Sequence, residues 1–229
     1  MRGRVAQRPV AEIAAAAARV FLAKGYREAG ISDVSAALGL SHGAVYTYAK
    51  SKQALLHLAL LSLARPEAMA ALTTPVPTPT QAEITAVIDR GRADFGLPLL
   101  MGATKAPAEP VAEEFAAIVE ELYSFVERNR LLLALVERCA PDLPELAEFY
   151  FVHRRRAVFA ALGDYLTSRI GSGALRPVAD VPAATRFITE TVAWFAAHRL
   201  GDQDSAMLDD QACRRTVRDL LLAAFLTSH

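Results

Sequence analysis

The sequence predicts an all-α protein of about nine helices, a small three-helix N-terminal part followed by a larger helical C-terminal part. Three observations carry that expectation. Alanine and leucine are abundant, and apolar residues recur at three- and four-residue spacing along much of the 229 residues. No run alternates β-branched and polar residues between turn signals, as a half-buried strand would. Proline and glycine gather at a few places that cut the chain into helix-length pieces.

The first helix is expected over residues 9–24. Pro9 suits a first helical position, where its missing N–H had no partner in any case, and Ile13, Ala17, Val20 and Phe21 form one stripe. Gly25 follows as the residue of positive φ that ends it. Two short helices, 31–38 and 42–48, precede a longer one over 52–71, in which Pro66 demands a kink or restart near Ala64. Residues 73–80, TTPVPTPT, read as an extended linker. Further helices are expected at 81–97 (interrupted at Pro98), 111–139, from Pro144 to Ile170, 182–200 and 207–227, with loops at 102–110 and 171–181.

Composition narrows the function classes. An apolar fraction of 53% with 22% charged residues is that of a globular chain, not a disordered one. No uninterrupted apolar run reaches the roughly 18 residues of a membrane span, so no membrane partner is expected. The start, basic and then alanine-rich, lacks the leucine-rich stretch of a secretory signal and reads as mature protein. Two cysteines, Cys139 and Cys213, exclude a disulfide framework and point to a reducing, cytoplasmic setting. CxxC, HExxH, GxSxG and Walker-type sequences are absent, so neither catalysis nor a metal or cofactor is expected.

The zero net charge hides an asymmetry. Residues 1–60 carry eight Lys/Arg against three acids, and the remainder carries a matching acidic excess. A polyanion partner for the first part explains this; so does chance, at so small an excess.

Residues 31–48, ISDVSAALGLSHGAVYTY, have a helix-turn-helix pattern. Val34 and Leu38 are apolar on the first helix, and Ser35 is small where the helices cross. Gly39 supplies the left-handed turn residue, Leu40 plugs the turn, Val45 holds the second helix down and Ser41 is placed to cap it. The outer surface of the second helix is polar or small, His42, Gly43, Ala44 and Thr47, and with Ser41 before it these are candidate DNA contacts. Small residues let a helix seat deep in a major groove, where base edges present a readable code. Tyr46 and Tyr48 would bring hydroxyls to the rim, and Lys52 lies in the first turn of the next helix, whose free N–H groups suit phosphate. For His42 a base, a phosphate or plain solvent all remain open. Arg2, Arg4 and Arg8 precede the first helix, as an arm that reaches DNA or as a solvated chain end.

With these residues in place, the stretch 12–56 resembles the DNA-binding domain of TetR-family transcriptional regulators. The matching pieces are Ala17, Phe21, Lys24-Gly25-Tyr26, Ile31, Asp33-Val34, Leu38-Gly39-Leu40-Ser41, Gly43, Val45-Tyr46, Tyr48, Ser51-Lys52 and Leu55. It departs from the family at Ala29 and Gly30, where Thr and Ser are usual, and at Ala49, where a Phe is usual. Gly30 or Ser32 would then take over the helix cap. The resemblance implies a DNA-binding domain over 1–56 and a ligand-binding and dimerisation domain over 57–229. It implies a homodimer on a near-palindromic double-stranded operator, released by a small-molecule effector whose identity does not carry over.

For the dimer, the small side of the 182–200 helix (Ala193, Ala196, Ala197, Leu200) and the last helix (Val217, Leu221, Ala224) are the expected interface. Met101, Phe125, Phe151, Trp194 and His198 are the expected lining of an effector cavity, each with ordinary core packing as its alternative. The mechanism expected is a ligand-biased shift carried by the 52–71 helix, hinged near Pro66. The rival is an all-α enzyme or carrier in which the helix-turn-helix only packs. Against it, no triad, paired carboxylates or metal-ligand spacing stands out.

Overall fold

A computed structural model of the protein describes residues 8–90, 96–103 and 110–227. Among these the fold is all-α, with isolated bridges but no strand. The chain forms two compact units, one of residues 1–93 and 131–150, the other of residues 94–130 and 151–229.

In the first unit, α1 (Val10–Glu28) starts one residue later than expected, with Pro9 as its N-cap and its carbonyl accepting the Glu12 N–H. Ile13, Ala14, Ala16, Ala17 and Phe21 are buried; Val20 is only half-buried. The alanines bring α1 close to α4 (Lys52–Ala64), which is enclosed nearly all round from Ala54 to Leu61. Gly25 has φ 79°, and the chain leaves helical geometry there as the sequence requires. α2 (Ile31–Leu38) and α3 (His42–Val45) complete the N-terminal head. α4 ends at Ala64 and a 3-10 turn restarts at Pro66, the break its ring imposes. The boundary expected between residues 56 and 57 falls inside α4. α5 (Gln81–Arg90) follows residues 73–80; its expected extension to 97 runs into residues outside the description.

The second unit starts with α6 (Pro98–Ala103), where only an interruption was expected. Glu121 accepts both the Leu99 and Leu100 N–H groups at 2.8 and 3.0 Å, capping this short helix from α7 (Val111–Cys139). α7 ends in the first unit. There a 3-10 turn (Ala140–Asp142) and α8 (Pro144–Ala147) follow it. Residues 148–155 wind as a π-helix into α9 (Arg156–Gly171), so the single helix expected from 144 to 170 is an α–π–α succession of three segments. α10 (Val181–Ala196) and α11 (Asp210–Phe225) carry Asp180 and Asp209 as side-chain N-caps. Phe115, Tyr165, Leu166, Ile188, Val192, Val217, Leu221 and Phe225 form the centre of this unit. Arg169 makes a two-pronged buried ion pair with Glu114, at 2.8 and 2.9 Å, and donates to the Ala103 carbonyl. Arg214 ties α11 to Glu120 and Glu127 of α7.

Candidate nucleic-acid interface

The head is built from local hydrogen bonds upward. Lys24 pairs with Asp33 at 2.6 Å, and Asp33 also accepts the Gly30 N–H at 2.8 Å. Gly30 takes the N-cap position of α2, as expected, and Asp33 supplies the one side chain of its capping box by accepting the Gly30 N–H. The Lys24 contact, then the Gly30 N–H, holds the Asp33 carboxyl below its ordinary range. α2 ends with Gly39 at φ 62°; the Gly39 N–H bonds to Ala36 and the Leu40 N–H to Ser35, closing the turn as a Schellman motif. Val34, Ser35, Leu38 and Val45 are buried beneath it, and Leu40 is half-buried.

α3 therefore stands on a fixed base with its outer side free. Ser41, His42, Gly43, Tyr46 and Thr47 are exposed; Ala44 is half-buried. The His42 and Tyr46 rings meet edge to face at 5.5 Å, one helical turn apart. A Cβ added at Gly43 would meet nothing within 4 Å, so this helix has a narrow, open shoulder.

Three of the named side chains are placed differently from expectation. The Ser41 side chain makes no cap bond. The Tyr48 ring is buried, and its hydroxyl accepts the Arg8 N–H at 2.7 Å; it ties the start of α1 to the exit of α3 instead of standing at the rim. Lys52 reaches back, donating to the Arg27 carbonyl at 3.0 Å with its ammonium over the Tyr26 ring. Each is held by a partner distant in sequence, Tyr48 in the core and Lys52 at the surface. Arg2 and Arg4 lie outside the described residues.

The sequence reading passed over two features. Lys50 is exposed directly before Ser51, the N-cap of α4, having counted only in the charge balance. Asp142 accepts the Arg27 N–H and pairs with its guanidinium, both at 2.9 Å, so an acid 115 residues away offsets part of the head's positive excess. No local pattern announces such a pair.

Residues 13–59 match the family model described as bacterial regulatory proteins, tetR family. The helix-turn-helix head is of the TetR family. No curated protein sequence matches the chain. Among solved structures it is similar to a bacterial regulatory protein in the tetR family from Rhodococcus RHA1, at 19% identity and TM-score 0.55 over 97% of this chain and 100% of that one. It is also similar to a ketosteroid transcriptional regulator of Mycobacterium tuberculosis, at 16% identity and TM-score 0.60 over 99% of this chain and 98% of that one. At these identities the likeness is one of fold, and it extends beyond the TetR head to nearly the whole chain.

The residues named for an effector and for a dimer fall in the second unit. Met101, Trp194 and His198 are exposed, Phe151 is half-buried, and Phe125 packs against that unit's core. Of the expected interface, Ala196, Val217 and Leu221 are sealed in the chain's own core, Ala193 and Ala197 are half-buried, and Leu200 and Ala224 are exposed. The open apolar surface of α10 and α11 is instead a pair of stripes at helical spacing. Phe187, Thr191 and Trp194 form one; Thr216, Leu220 and Ala223 form the other, with Thr191 partly covered.

Proposed function

We propose that the protein is a ligand-responsive transcriptional regulator, a repressor, that binds a near-palindromic DNA operator as a homodimer and is released by a small molecule. The observation that carries this reading is the outer side of α3: Ser41, His42, Gly43, Tyr46 and Thr47 are exposed together on a helix with a narrow shoulder. That side fits a major groove, with His42 and Thr47 toward base edges and Tyr46, Lys50 and the α4 N-terminus toward phosphate. Arg2 and Arg4 belong to the same reading as an arm along the duplex.

The homodimer is supported by the exposed stripes of α10 and α11, since large apolar side chains such as Phe187 and Leu220 at helical spacing suit a self-complementary helix pairing. Two heads then meet the operator about one helical turn or a multiple apart, on the order of 34 Å. The second unit takes the effector, which acts by binding more tightly to the arrangement of lower operator affinity. The role is cytoplasmic and involves no catalytic step.

The test is selection of duplexes from a random pool by the purified protein. An inverted repeat is expected, bound with an affinity that falls steeply with salt. Tyr46→Ala should weaken the selected complex by about 1–3 kcal/mol. A protein that enriches no duplex, with no salt dependence, is the outcome that sinks the reading and favours the carrier.

A further inference from the structure

We propose that Val76 is a positioning residue of the nucleic-acid interface: the strap formed by residues 73–80 clamps the exit of α3 and sets the direction in which Tyr46 and Thr47 face the groove. The proposal rests on the DNA-binding reading above and deepens it.

α3 is too short to hold itself. Four residues make barely one turn, and a single turn fixes several dihedral angles for one hydrogen bond. Ser41 adds no side-chain cap. The placement of this helix therefore depends on what grips its ends, and the strap grips the exit. The Val76 N–H donates to the Tyr48 carbonyl at 2.7 Å, and the Val76 carbonyl accepts the Lys50 N–H at 2.9 Å. Val76 and Ala49 lie side by side in a parallel bridge, both buried. Around Val76, Thr73, Pro75, Pro77 and Thr78 are all exposed, so the one apolar residue of the strap is the one driven inward.

The strap is also held at its other end. The Thr80 N–H and hydroxyl donate to Glu83 at 2.7 and 3.0 Å, and Thr80 Oγ1 accepts the Glu83 N–H at 3.2 Å, a reciprocal cap at the start of α5. Prolines at 75, 77 and 79 restrict φ between these two anchors and remove backbone donors that would compete for other partners. The strap is thus a stiff connection from the α5 N-cap to the residue pair that leaves α3. None of its side chains is basic, so it adds nothing to phosphate attraction and acts only through the placement of α3.

That separation of roles gives the test. The probes are the duplex recovered by selection with the intact protein and a scrambled duplex of equal length and composition. Val76→Pro deletes the donor to Tyr48; Val76→Ala keeps both backbone bonds but loses the buried side chain; Val76→Ile keeps both. Val76→Pro should lower the ratio of selected to scrambled affinity about tenfold, while scrambled-duplex affinity and its salt dependence stay at the parent value. Amide exchange over residues 46–50 should quicken, and Val76→Ile should restore the parent behaviour. Should Val76→Pro lose its helical circular dichroism, Val76→Ala is read instead, with a loss of about threefold expected. An unchanged ratio in the folded variant overturns the proposal, as does an equal loss on both duplexes, which marks a merely structural role. Failure of the intact protein to select any duplex overturns the DNA-binding reading and this proposal with it. Selection by the intact protein with an indifferent Val76 overturns the proposal alone.

Discussion

His57, on α4, carries an imidazole Nδ1 enclosed without a hydrogen-bond partner. Burial pulls its pKa below the ordinary 6.5, and Glu83 pulls weakly the other way. The folded chain thus resists a proton that the unfolded chain accepts. Stability is full above the ordinary histidine range and declines as pH falls through it toward the lowered folded value. Moving from about pH 8 to about pH 5.5 should therefore lower the denaturation midpoint more in the parent than in His57→Leu. Equal drops would show that the enclosure of His57 has no thermodynamic weight. At the same scale, burial pushes the Cys139 thiol up to about 12, which leaves it protonated and unreactive at neutral pH. Gly39 illustrates a different residue-level demand: nothing lies within 4 Å of an added Cβ, so its requirement is conformational and not one of space.

Between elements, the pair Arg169–Glu114 is the costliest arrangement to disturb. It joins α9 to α7, and the Arg169 Nη2 that donates to Glu114 also donates to the last carbonyl of α6. The guanidinium also lies over the Tyr165 ring at 4.9 Å. Both charged side chains are nearly sealed from water, at 4% and 8% exposure, so removing one partner strands the other in a poor solvent. Glu114→Leu should destabilise the protein by about 3–5 kcal/mol in urea unfolding, and the double change with Arg169→Met should recover most of that loss. A single substitution as mild as the double would mean that water already reaches the site. The helices of the head make a contrasting case. Its fixed points are turns and caps: Gly39 at the α2 end, Asp33 at the α2 start, Tyr48 and Val76 at the α3 exit. Short helices leave most of their backbone groups at termini, so terminus chemistry carries the architecture.

At the scale of the whole molecule, α10 and α11 present large apolar side chains to solvent. Leu220 is 66% exposed and Phe187 58% exposed, Leu220 lying outside the buried stripe of Cys213, Val217, Leu221 and Phe225 on its own helix. Leu220→Glu should leave the fold of the chain within about 0.5 kcal/mol, as a surface change does. On the proposed homodimer it should raise the dissociation constant by about two orders of magnitude, because a two-fold axis places the new charge in the interface twice. Sedimentation equilibrium reads the outcome. A parent that is monomeric at all concentrations, or a variant that associates as the parent does, would remove this face from the dimer.

The all-α class and the helix-turn-helix within 31–48 were legible in the residues alone, because each is a local property, although the second helix ends at Val45 and not at 48. Apolar spacing, proline breaks at 9 and 66, and glycines at 25 and 39 act within a turn or two of themselves. The matched 111–139 helix is the same kind of success. What the tertiary structure decided is every pairing across the chain: Tyr48 with Arg8, Asp142 with Arg27, Arg169 with Glu114, and Val76 with the exit of α3. It also decided which side of the last helix faces inward, placing Val217 and Leu221 in the core and Leu220 outside. The run 220–226 is apolar at every position and gives no local cue to which of its residues faces inward, and a polar side chain carries no mark of a partner many residues away; only the folded packing resolves either.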